Sequence, residues 1–140
     1  MSDTPVSLES LMTPSKTVTV DFPGYKGFKI DLTYLAREEL IKLRKKCLTT
    51  KFNKKTHSPE ESLDEEKFIT HYTGAVIKGW KGLKYRYLEE FLLVDVSQFD
   101  PNDELTYTAA NAETMMKNST GFDTWVTETA GDLENFTGSK

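Results

Sequence analysis

Two histidines, one cysteine and a large supply of carboxylates are the residues with which this chain could do metal or acid–base chemistry. Thirteen residues separate His57 from His71 and no cysteine pair accompanies them, unlike the clustered ligands of a zinc site. Cys47 stands alone, and no GxSxG stretch supplies an activated serine, so nucleophilic catalysis has no foothold. The glycines of FPGYKG and GWKG do not fall where a phosphate loop or a dinucleotide fingerprint needs them. The carboxylates sit on faces that read as polar, and no two stand out as an acid and a base. The expectation is no catalytic residue, no metal, no cofactor, and a protein that is not an enzyme.

Large apolar side chains are the more informative set. Trp80, Leu83, Tyr85, Met115, Met116, Phe122 and Trp125 gather near predicted helix ends. Each has an ordinary explanation as core. Tyr, Trp and Met are also enriched at interfaces, and thioethers suit variable apolar partners. These seven are the candidate protein-binding residues. In IKGWKGL, Gly79 and Gly82 flank Trp80. Glycine costs about 1 kcal/mol in a helix interior, so a helix should end or bend here. Trp80 and Leu83 then either close a core or edge an apolar groove.

The elements that must position these residues follow from periodicity. Val18, Val20 and Phe22 alternate with polar residues, as do Phe28, Ile30 and Leu32, with Pro23, Gly24 and Gly27 between. That predicts a β-hairpin, which must rest on something else. REELIKLRKKCL predicts a helix with acids in its first turn and bases in its last, matching the helix dipole. Residues 49–58 read as a loop. Ser58 with Pro59, or the box SLDE at Ser62–Glu65, should start the next helix, in which Phe68, Ile69, Tyr72, Ala75, Val76 and Gly79 share a face. Periodicity leaves residues 84–96 between helix and strand, and a helix from Lys84 to Val94 is favoured. Thr108 should cap a short helix ending in Met115 and Met116, broken by Gly121. Phe122, Trp125, Val126, Thr129, Leu133 and Phe136 predict a last amphipathic helix.

The whole is expected to be α+β: an N-terminal β-hairpin followed by a mainly helical bundle of four to five helices. Residues 1–16 are expected to be a flexible arm, 17–136 a single domain, and 137–140 a disordered tail. A chain of 140 residues can bury a sizeable core. The single cysteine favours a reducing compartment, and neither a signal peptide nor a membrane span is evident. Net charge is −4, but Lys42–Lys55 holds seven basic residues and no acid, and Glu60, Glu61, Asp64, Glu65 and Glu66 follow. Such neighbouring blocks are usually solvated faces. A small adaptor that binds nucleic acid through Lys42–Lys55 is the alternative function, although the acidic remainder would repel phosphate.

The order of VDFPGYKGFKIDL, REELIKLRKKC, VIKGWKGL and LTYTAANAETMMKNSTGFDTWVTETAGDLENF resembles the tail assembly chaperones of long-tailed bacteriophages over roughly residues 16–136. The shared features are the Trp80–Leu83 junction, the Tyr107–Asn111 approach to a short helix, and the closing helix from Phe122 to Phe136. The resemblance implies a non-enzymatic protein of the host cytoplasm, absent from the mature virion. Its client would be the tape measure protein, with the tail tube protein as a further partner and a homo-oligomer as a possible form.

Overall fold

A computed structural model describes residues 4–137. The first three residues of the expected arm, and the expected tail beyond Thr137, lie outside the described residues. Along the chain run α1 (Leu8–Leu11), β1 (Ser15–Asp21), β2 (Lys29–Leu35), α2 (Arg37–Lys46), β3 (Leu48–Asn53) and β4 (Ser58–Leu63). Then come α3 (Glu65–Val76), β5 (Ile77–Lys81), α4 (Tyr85–Phe91), α5 (Ala109–Asn118), α6 (Thr120–Ala130) and α7 (Glu134–Thr137).

The alternating residues of β1 and β2 pair antiparallel, Val18 opposite Leu32 and Val20 opposite Ile30. Gly24 and Gly27 take the positive φ that their turn requires. One face of this hairpin is polar. Thr17 meets Thr33 at 2.7 Å and Lys29 donates to Asp21 at 2.8 Å. The other face carries Phe28, Ile30 and Leu32 into the core, where they are fully buried.

Here the expected architecture fails. The strands are interspersed among the helices, so the described residues form a mixture of seven helices and two small antiparallel sheets, not a hairpin followed by a bundle. β5 extends the first sheet to the order β1-β2-β5, with Trp80 opposite Ile30 and Gly79 opposite Asp31. The helix does end before GWKG, as the glycines predict, but the chain leaves it as a strand. A Cβ on Gly79 would lie 2.9 Å from an Asp31 carboxylate oxygen, the end of a side chain that can turn aside to admit it. Gly82 has φ +80° and packs against the Gly27 backbone.

The second sheet is the β3–β4 hairpin, inserted between α2 and α3. It occupies residues expected to be a loop and a helix start. Pro59 sits in β4 opposite Phe52, and Leu63 faces Leu48. The N-cap of α3 is Asp64, whose side chain accepts from the Lys67 amide at 3.1 Å.

α4 stops at Phe91, short of the Val94 expected, and the segment after it folds back over the start of α4. The Tyr85 amide donates to the Asp103 carbonyl and the Leu105 amide to the Leu83 carbonyl. Thr108 caps α5 through the Asn111 amide at 3.0 Å, as predicted. Gly121 breaks nothing. Ser119 closes α5 and caps α6 through the Phe122 amide, so the two helices meet at a serine and Gly121 lies inside α6. No helix among the described residues is long and apolar enough to cross a membrane.

Candidate functional site: an apolar groove between α2, α3 and α6

Most of the seven candidate protein-binding residues are core. Leu83 and Phe122 are fully buried, Met115 and Met116 nearly so, and Trp80 is only 8% exposed. The Trp80 indole N–H donates to the Leu105 carbonyl at 2.9 Å, and its ring meets Tyr107 edge-on. Trp80, Leu83, Met115 and Phe122 belong to the core that the sheet, α5 and α6 enclose and form no docking surface, whereas Met116 also edges a groove. Tyr85 and Trp125 are half-buried. Tyr85 stacks on exposed Phe99, and Trp125 packs on Phe22 with centroids 4.1 Å apart. Uncovered apolar side chains do exist between Ile77 and Phe136, but they are Leu93, Val94, Phe99 and Leu133.

A groove of about 490 Å³ runs between three helices. Its walls follow from sequence spacing. Glu65, Phe68, Ile69 and Tyr72 fall at i, i+3, i+4 and i+7 on α3, one face of the helix. Leu40 and Arg44, four apart, come from α2, and Asp123 and Thr127, also four apart, from α6. Met116 of α5 contributes as well, and it alone of the seven candidates reaches this groove. Phe68 and Tyr72 stack with centroids 5.5 Å apart, and the Arg44 guanidinium lies 5.5 Å from the Phe68 ring centre.

Charge is confined to Arg44, Glu65 and Asp123, while the rest of the lining is apolar or hydroxylic. Burial pushes the Tyr72 phenol above its ordinary pKa, a hydrogen bond with Thr127 opposes this, and the Asp123 carboxylate adds to it. Tyr72 is therefore an uncharged amphipathic wall residue across the neutral range. Such a trough suits the apolar face of a helix, with ionic groups left for its polar flanks. Among the described residues no group of three or more His, Cys, Asp and Glu side chains is placed to hold a metal ion.

The sequence places Leu40 on the apolar stripe of α2 and Phe68, Ile69 and Tyr72 on one face of α3, and names none of them as a binding residue. The missed signal is the width of those stripes. Phe68, Ile69 and Tyr72 are left half-buried, whereas Thr73 and Val76 of the same helix are buried. Asp123 and Thr127 carry no signal of their own in the sequence.

Residues 35–140 match the family model described as YdaY prophage protein. The chain belongs to the YdaY prophage protein family. It is thus phage-derived. No curated protein and no solved structure matches it. The segment shared with the YdaY family begins at the last residue of β2 and takes in α2, the β3–β4 hairpin, α3, α5 and α6, so every residue of the groove lies within it.

Proposed function

We propose that this prophage protein is a tail assembly chaperone that shelters apolar helical segments of the tape measure protein while the tail tube forms. It acts without catalysis in the host cytoplasm, does not remain in the mature virion, and has the tail tube protein as a further partner. The observation that carries this reading is the groove between α2, α3 and α6: an apolar trough walled by Leu40, Phe68, Ile69 and Tyr72. A holdase must cover greasy helix faces and release them. Half-buried rings and a thioether give many modest contacts without one deep anchor.

Membership of a prophage family supports the phage setting, and the sequence resemblance to the tail chaperones supplies the client class. Nucleic-acid binding through Lys42–Lys55 is less well supported. In the β3–β4 register Glu60 stands opposite Lys51 and Glu61 opposite Thr50, so acids line the strand beside the bases.

The test is co-purification of tape measure fragments with the wild type and with Phe68→Glu. A charge placed on the groove wall should abolish capture while the circular dichroism spectrum and melting curve stay near wild type. Equal capture by a folded Phe68→Glu protein, or no capture by the wild type, would count against the proposal.

A further inference from the structure

Two conspicuous features are left unused by the helix-holding groove: the basic end of α2 and the N-terminal arm. A second groove, of about 400 Å³, shares no residue with the first. Leu35, Leu43 and Ala75 give it apolar walls. Lys42, Lys45 and Lys46 edge it against a single acid, Glu39, which pairs with Lys42 at 3.6 Å. Among the described residues neither Lys45 nor Lys46 forms an ion pair. This cavity is thus apolar within and positive at its edge.

The arm has the complementary character. Val6, Leu8, Leu11 and Met12 are between 54% and 73% exposed, an unusual run of uncovered apolar side chains. The turn of helix at Leu8–Leu11 brings Leu8 and Leu11 to one side. Between Thr4 and Pro14 the sole charged side chain is Glu9. The segment Val6–Met12, part helical and part extended, and the ten-residue α2 each span roughly 15 Å.

We infer that the arm of a second copy of this chain lies in this groove, with Leu8, Leu11 and Met12 against Leu35, Leu43 and Ala75 and with Glu9 among the lysines. A second copy is the occupant because, within one chain, the arm departs from the body at Pro14, whose carbonyl accepts from the Ala36 amide at 2.9 Å beside Leu35. From there its apolar side chains enter solvent. One chain therefore leaves both halves of the contact bare, and a twofold exchange covers both halves twice. The arm precedes the segment matched to the YdaY family, whereas the groove lies within it. This contact is independent of the client groove, so the two readings fail separately.

The experiment is sedimentation equilibrium of the full chain from low to high micromolar concentration. It is run on the wild type, on the arm variant Leu8→Ser/Leu11→Ser, on the groove variant Lys45→Glu/Lys46→Glu, and on a mixture of the two variants. The wild type should pass from monomer to dimer with concentration. Each variant alone should associate about tenfold or more weakly, the effect expected from losing central contacts, with an unchanged melting curve. The mixture should recover part of the association, because each heterodimer regains one intact arm and groove. A wild type that stays monomeric at every concentration, including through an arm folded onto its own groove, overturns the inference. So does a dimer that both variants leave intact. Tight binding of a labelled DNA duplex that Lys45→Glu/Lys46→Glu abolishes, with self-association untouched, would assign the groove to phosphate and equally overturn it.

Discussion

The Arg44 guanidinium lies 5.5 Å from the centre of the Phe68 ring and so links α2 to α3 along the apolar groove. The two helices are separated in sequence by the β3–β4 hairpin, whose base is tied by the Asp64 amide donating to the Cys47 carbonyl at 2.8 Å. Hairpin and cation–π contact together set the spacing of the groove walls. An exposed contact of this kind contributes about 0.5–1 kcal/mol, enough to bias the spacing without fixing it rigidly. So light a constraint suits the proposed holding role, which requires opening and release.

Trp80→Phe separates core from interface. The indole N–H is bonded to the Leu105 carbonyl, and Phe would leave that carbonyl without its donor. Stability should fall by about 1–3 kcal/mol in urea denaturation. Capture of tape measure fragments by the folded fraction should be unchanged. Selective loss of capture at full stability would mean that Trp80 meets the client directly.

Two glycine substitutions should act in opposite directions. Gly82→Ala puts a Cβ onto the Gly27 carbonyl at a φ of +80°, and should cost about 3 kcal/mol or more. Gly74→Ala, inside α3 with open space around it, should stabilise by about 1 kcal/mol. Differential scanning calorimetry checks both. Equal melting temperatures for the two variants would contradict the packing of β5 against the β1–β2 turn.

Legibility followed the strength of local chemistry. The β1–β2 hairpin could be read because Val18, Val20, Ile30 and Leu32 alternate cleanly, and α5 because Thr108 caps it. β5 could not be read. Ile77 continues the apolar stripe of α3 without a break, and only the long-range pairing with β2 turns it into strand. β3 and β4 were hidden by composition. Lys51, Glu60, Glu61 and Pro59 are poor strand formers, and Ser58–Pro59 imitates a helix start, yet the cross-strand register holds them. The site was hidden for a further reason. Periodicity says which residues share a face but not whether a neighbouring helix covers that face, so Trp80 and Phe122 could be named as binding candidates while Phe68 and Tyr72 could not be told from core.

Alkaline pH should expose the groove's electrostatics. Burial raises the Tyr72 phenol above its usual value near 10, so the unfolded chain releases that proton first as pH rises. The associated stability is complete below about pH 10 and is lost as pH rises through the folded pKa. Tyr25, raised by burial and then by Glu90, and Lys117, raised by its bond to Glu113, slope the same way. Tyr72→Phe should flatten the alkaline decline in chemical denaturation without touching the neutral range. Phenolate absorbance should show one late-titrating tyrosine fewer in that variant. An unaltered alkaline slope would mean that Tyr72 is freely solvated.

The most direct measurement is a two-dimensional amide NMR titration of the wild type with an apolar helical peptide from the tape measure protein of a related phage. Shifts should concentrate on the amides of Leu40, Phe68, Ile69, Tyr72, Met116 and Thr127, and should be absent when the same peptide is added to Phe68→Glu. Saturating shifts that instead cluster elsewhere, on Phe99 and Leu93 or along Lys42–Lys55, would contradict the placement of the client between α2, α3 and α6, as would a spectrum that the peptide leaves unchanged.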